Sequence, residues 1–140
     1  MQDSELTGRV IGCAMRVHSA LGPGLLESAY RVCLVHDLRK NGLTAPSEVV
    51  LPVVYDGVRL DAGYRLDIVV EETVVLELKA VEQLAPIHKA QLISYLRLGG
   101  FPLGLLINFN VIHLKDGIKR VYPHSSRGAE DRETENSGPG

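Results

Sequence analysis

The chain has 140 residues, 45% of them hydrophobic and 23% charged, with no tryptophan; this suits one domain with an aliphatic core. No apolar run approaches the ~20 residues that span a bilayer. The acidic start, Met1-Gln2-Asp3-Ser4-Glu5, lacks the basic and then apolar character of a signal peptide, so a cytoplasmic protein without a membrane partner is expected. A net charge of −2 excludes the basic excess of a strong non-specific nucleic-acid binder, and any such binding must come from a local cluster.

Residues 4–20 read as a helix. Ser4 is its candidate N-cap, and Val10, Ala14, Val17 and Leu21 recur at helical spacing while Arg9 and Arg16 face water. Gly22-Pro23-Gly24 breaks the chain. A second helix is expected over about 25–40, with Leu26, Tyr30, Cys33 and Leu34 on one face and Asn41-Gly42 as its stop. From Glu48 the period becomes two. Residues 48–55 read as a strand that Pro52 demotes toward an edge or a bulge. Asp56-Gly57 then turns the chain into a strand over 58–61. Residues 64–70 and 73–80 form a further hairpin about Glu71-Glu72. Pro86 opens a third helix, 86–98, which Gly99-Gly100 ends. Short apolar strands follow over 103–109, 111–114 and 118–122.

The predicted order is α-α-β-β-β-β-α-β-β-β, an α/β or α+β sheet with helices packed on it. The strand over 103–109 reads equally as central or as pairing across a dimer. Residues 124–140 are polar and charged, with Gly, Ser and Pro, and are expected to be a disordered tail on a single domain, 1–123. Cys13 and Cys33 sit at no metal spacing and read as small apolar filler.

The informative polar residues lie where apolar ones are expected. Asp67 falls in the strand over 64–70, and Glu77 and Lys79 fall in the next. Strand side chains alternate, so Glu77 and Lys79 share a face. Burying such charges costs several kcal/mol unless they are paired or metal-bound. Taken alone, Glu77-Leu78-Lys79 reads as a solvated strand face worth under ~1 kcal/mol, and Asp67 alone as a strand-end or turn carboxylate. Together they offer two carboxylates and an ammonium to one spot, which suits a divalent metal and a phosphate. Arg65 shares the face of Asp67 and can meet phosphate.

On the third helix His88, Gln91 and Tyr95 occupy i, i+3 and i+7 and line one face. That face is either a polar exterior or a bank reaching the acids. Glu27 opens the second helix, where the helix dipole favours it and Arg31 at i+4 can pair with it. His18 is expected to be a buried histidine that braces the Gly22-Pro23-Gly24 turn. Lys115, Lys119 and Arg120 read as a solvated hairpin before a basic patch.

Gly24-Leu25-Leu26-Glu27-Ser28-Ala29-Tyr30 spells GxxExxY, and from about Leu6 to Tyr122 the chain resembles the small bacterial GxxExxY protein family, grouped with the PD-(D/E)XK nuclease superfamily. Val17-His18, Asp67, Glu77-Leu78-Lys79, Pro86-Ile87-His88 with Gln91, and Asn108-Phe109-Asn110 carry the resemblance. It implies a restriction-endonuclease-like mixed central sheet flanked by helices. The implied core is αβββαβ, with an extra N-terminal helix and C-terminal strands. It also implies Mg²⁺ (or Mn²⁺) held by Asp67 and Glu77, with Glu27, Lys79 and Gln91 completing a catalytic group. Gln91 and Tyr95 resemble a Gln-x-x-x-Tyr element, and Arg65, His88 and Tyr95 are the implied substrate contacts.

The implied activity is metal-dependent hydrolysis of DNA or RNA. The alternative is a non-catalytic module on the same fold that binds nucleic acid, a nucleotide or a protein, including as a homo-oligomer. A third reading makes the charges a buried structural network.

Overall fold

The computed structural model describes residues 1–124. Apart from His124, the segment read as a disordered tail lies outside the described residues. α1 (Asp3–Leu21) buries Leu6, Val10, Cys13, Ala14 and Val17. Its N-cap is Gln2, not Ser4, because Asp3 and Glu5 belong to the first turn, where the dipole favours carboxylates. α2 (Glu27–Lys40) buries Tyr30, Leu34 and Leu38. Leu26 was expected on that face but is 77% exposed. It is the extended residue before the helix and so escapes the helical period.

The run read as one strand over 48–55 is two, β1 (Ser47–Val50) and β2 (Val53–Tyr55), with Pro52 in the gap. β2 pairs with β3 (Val58–Leu60) in a separate antiparallel hairpin. β4 (Arg65–Val70), β5 (Val74–Lys79), α3 (Pro86–Gly99), β6 (Leu103–Asn108) and β7 (Ile118–Val121) complete the described chain. The main sheet runs β1-β4-β5-β6-β7. Its pairs are antiparallel except β5–β6, which are parallel and joined through α3, as a parallel pair requires a crossover. β6 therefore lies inside the sheet, and this is the expected mixed α+β sheet flanked by helices.

Residues 111–114 are not a strand. Val111, Ile112 and His113 bend, and Leu114–Gly117 forms a 3-10 turn closed by the Asp116 N–H on the His113 carbonyl. The Val111 carbonyl accepts from the His18 ring at 2.8 Å, which ties this segment to α1 instead of to a neighbouring strand. The element after β6 is thus a turn, and one strand follows it rather than two.

Two cores sandwich the sheet. α1 and α2 pack on Ile68, Val70, Leu76, Leu78, Leu105 and Ile107. On the other face Leu92, Ile93 and Leu96 of α3 meet Val69, Val75 and Leu106. Gly104 permits that close approach, since a Cβ there would stand 3.1 Å from Leu92 Cδ2 and from the Val75 carbonyl. Among the described residues, no helix is long and apolar enough to cross a membrane.

Candidate active site

Val74, Leu76 and Leu78 of β5 enter the core beneath α1 and α2, and Val75 enters the core beneath α3. Glu77 and Lys79 therefore share the α3 side. On β4 the period slips: Ile68 and Val70 belong to the α1–α2 core, but Leu66 belongs to the α3 core. The slip falls on Asp67. The β4–β5 register ends at Ile68↔Leu76. Beyond it, the Leu78 N–H, whose ladder partner would be Leu66, donates to Asp67 Oδ2 at 2.7 Å. The Asp67 N–H donates to Glu77 Oε1 at 3.3 Å. The strands part here, and the two carboxyl groups take over backbone hydrogen bonds.

This places two acids in a poorly solvated slot. Glu77 is only 8% exposed. Burial, then the Asp67 charge, pushes its carboxyl up to about 8. Asp67 is also raised, chiefly by burial and then by the Glu27 charge, against the Leu78 N–H, Lys79 and Arg31, which favour ionisation. Lys79 favours both carboxylates but does not balance them. The slot is short of positive charge at neutral pH. Two adjacent carboxyl groups with an incomplete counter-charge fit a hard, oxygen-seeking divalent cation, which commonly takes one or two protein carboxylates and fills its shell with water and phosphate. Among the described residues, no three His, Cys, Asp or Glu side chains converge to hold a metal, so the donor set does not resemble an all-protein cage.

The GxxExxY segment supplies the neighbouring acid. Gly22 and Gly24 adopt φ of 71° and 97°, conformations that cost glycine least. The fully buried Tyr30 donates its hydroxyl to the Gly22 carbonyl at 2.6 Å and accepts the Leu25 N–H at 3.1 Å. Its ring stacks on Phe109, with centroids 4.5 Å apart. The loop is thereby pinned so that α2 starts at Glu27, within electrostatic reach of Asp67. Arg31 does not pair with Glu27, as local spacing predicts, but with Glu48 of β1 at 3.7 Å. The His18 ring braces the loop after β6 rather than the Gly22-Pro23-Gly24 turn, where only its backbone carbonyl bonds the Gly22 N–H at 2.7 Å.

Of the three candidates on α3, Tyr95 lies within electrostatic reach of the acids. The Tyr95 hydroxyl is raised by burial and then by Glu77, Tyr64 and Asp67, and its ring lies 5.6 Å from that of Tyr64. His88 instead caps its own helix, Nδ1 accepting the Ala85 N–H at 3.0 Å. Gln91 is exposed and bonds neither acid. Arg65 is held by Asp61 at 3.1 Å and by the Tyr64 carbonyl at 2.9 Å.

Three contributors escape a reading of local spacing: Tyr64, Arg31 and Asn108. Asn108 is a buried amide in an otherwise apolar strand, which is the signal that could have marked its role. It grips Val81 through both its N–H and its carbonyl, at 3.1 and 2.9 Å, and also accepts the Asn110 N–H. It so fixes the exit of β5 directly after Lys79.

A family model of the PD-(D/E)XK nuclease superfamily matches residues 4–121. No curated protein and no solved structure matches the chain.

Proposed function

Because the chain belongs to the PD-(D/E)XK nuclease superfamily, we propose that it hydrolyses phosphodiester bonds of DNA or RNA with Mg²⁺ or Mn²⁺ held by Asp67 and Glu77. The observation that carries this reading is the parting of β4 and β5 around two facing carboxyl groups, with too little positive charge beside them. When bound, the cation would supply Lewis-acid polarisation of the phosphate and acidify the attacking water.

The other steps belong to the protein. Lys79 stabilises charge that develops on the phosphoryl oxygens. Glu27, outside the slot, orients the water or accepts its proton. Tyr95, backed by Tyr64, offers a ring against which a base or sugar can pack. Gln91, His88 and Arg65 belong to the rim and meet the substrate there, with Arg65 exchanging Asp61 for a phosphate. Leu78 turns its N–H to Asp67 and keeps that carboxylate oriented. We further assign the chain to the GxxExxY family on Gly24, Glu27 and Tyr30, and place its action in the cytoplasm.

Calorimetric titration with Mn²⁺ and Mg²⁺, on the wild type and on Asp67→Asn, tests the site without requiring the right substrate. The amide oxygen introduced by Asp67→Asn can still accept the Leu78 N–H, so the variant is expected to fold but lose metal binding. It should also lose cleavage in a screen of single-stranded and duplex DNA and RNA. No binding by the wild type at millimolar metal, with or without oligonucleotide, would leave the non-catalytic binding module as the better description.

A further inference from the structure

A groove of about 560 Å³ runs along the exposed side of α2, beside Ser47 of the edge strand β1. It does not open on Asp67 and Glu77. Its walls carry Arg31, His36, Arg39 and Lys40, and Val32 and Val35 lie between them. The groove is basic in a chain that is acidic overall. Asp37, on the same helix, is occupied by Arg16 at 3.0 Å and does not neutralise it. Glu48, next to Ser47, contacts Arg31, but the contact is long (3.7 Å) and largely exposed on the Glu48 side, so it holds Arg31 weakly.

Glu48 is itself unusual. The pairs Ser47↔Ile68 and Val49↔Leu66 set it beside Asp67 in the register, yet its φ is 51°. A non-glycine residue in that region stores roughly 1–3 kcal/mol. Its carboxylate reaches Arg31 instead of joining the Asp67–Glu77 pair.

Arg31 belongs to both places. It lines the groove, and its charge acts on Asp67. Lys40 lies nine positions farther along the helix, about 14 Å at 1.5 Å per residue. That is the axial rise of about four nucleotides at ~3.4 Å each.

We propose that this groove is the track of a nucleic-acid strand whose reacting phosphate sits at the Asp67–Glu77 pair. Arg31 marks the junction, and Arg39 and Lys40 hold phosphates farther along. The apolar side chains between the cations suit the sugar faces of a backbone without reading its sequence, so recognition is by charge. The inference rests on the nuclease reading for the position of the reacting phosphate, and on the groove alone for the position of the strand.

The test is fluorescence-anisotropy binding of short DNA and RNA oligonucleotides, single-stranded and duplex, in EDTA over a range of salt. The proteins compared are the wild type, Lys40→Ala, Arg39→Ala/Lys40→Ala and Glu48→Gln. The double variant should bind about tenfold more weakly, and its log–log salt slope should be shallower by about 1.4 on a single strand or about 1.8 on a duplex. Arg39 also bonds the Ala45 carbonyl at 3.2 Å. Should the double variant unfold, Lys40→Ala alone should give about half of that change in slope. Glu48→Gln should move the other way and tighten binding severalfold.

Unchanged affinity and slope in the lysine and double variants overturn the track, as does failure of the wild type to bind any of the oligonucleotides. Cleavage followed in parallel with Mg²⁺ separates the two claims. Groove-dependent binding without cleavage keeps the track and removes the nuclease reading. Asp67-dependent cleavage that is indifferent to the groove does the reverse.

Discussion

Asp67 and Glu77 stand across from each other on antiparallel strands, and the backbone N–H of Asp67 bonds the Glu77 carboxyl rather than a strand carbonyl. The Asp67 charge acts directly on Glu77, and burial raises both acids. This gives the free protein a definite pH response.

The Glu77 carboxyl titrates near 8 in the folded chain against an ordinary value of 4.5. The folded state therefore holds a proton that the unfolded state has released between those values, and stability falls as pH rises through that window. Asp67 shifts in the same direction. Asp61 and Glu71, held down by Arg65 and by Thr44 respectively, act below the ordinary carboxylate range and stay out of the window. Urea denaturation in EDTA should show the wild type losing on the order of a few kcal/mol from about pH 5 to about pH 8. Glu77→Gln should show a much flatter profile. A flat wild-type profile would mean that Glu77 is ionised and compensated by some other group.

Tyr30→Phe removes one hydroxyl and leaves two backbone partners, the Gly22 carbonyl and the Leu25 N–H, without it. The expected loss is about 1–3 kcal/mol, with the ring stack on Phe109 retained. Because the same bonds set where α2 begins, the variant should also lose turnover out of proportion to metal affinity. Denaturation and metal titration of one preparation, with cleavage rates alongside, check both effects.

Asn108→Ala removes three hydrogen bonds from a buried site. About 2–4 kcal/mol should be lost, combining unpaired backbone groups with a small void. Hydrogen exchange should show the released Val81 N–H losing protection before the core of β5 does. Equal protection at Val81 in variant and wild type would remove Asn108 as the clamp.

Glu71 and Glu72 both sit in the left-handed region, with φ of 52° and 55°. The Glu71 side chain accepts from the Thr44 N–H and hydroxyl, whereas Glu72 is exposed. Glu72→Gly should therefore stabilise by about 0.5–1 kcal/mol, since glycine takes that conformation freely. Glu71→Gly, which loses the Thr44 contacts, should gain nothing. Thermal melts of the two variants give the comparison directly.

The closeness of Asp67, Glu77 and Lys79 was readable because charge inside apolar, alternating segments is costly and so stands out. The helices and the β4–β5 hairpin were readable for the related reason that their periods are sustained and their ends carry turn residues. Residues 111–114 misled because their apolar content suits a turn as well as a strand, and the contacts that hold the turn, with His18 among them, are tertiary. Gln91 misled because helical spacing gives a shared face but not the reach of each turn. Tyr95, one turn on, lies close enough to feel the charge of both acids, while Gln91 stays in solvent. Arg31 paired with Glu48 because tertiary approach of β1 outcompetes the i−4 partner, Glu27, and no local pattern encodes that approach.

The short link between β4 and β5 also bears on the order of assembly. Asp67 and Glu77 are ten positions apart and joined by one tight turn, so they can meet on the microsecond scale of hairpin formation. The helix that covers the Glu77 side must first bring β6 alongside β5 in parallel, a non-local step that costs more chain entropy. The acids thus become neighbours while wet and are dehydrated only on the native side of the barrier. The pH sensitivity should accordingly reside in the unfolding limb of the chevron, with refolding rates nearly constant across the window. A stopped-flow series over that window would show it, and refolding that slows as Glu77 ionises would put α3 docking before the barrier instead.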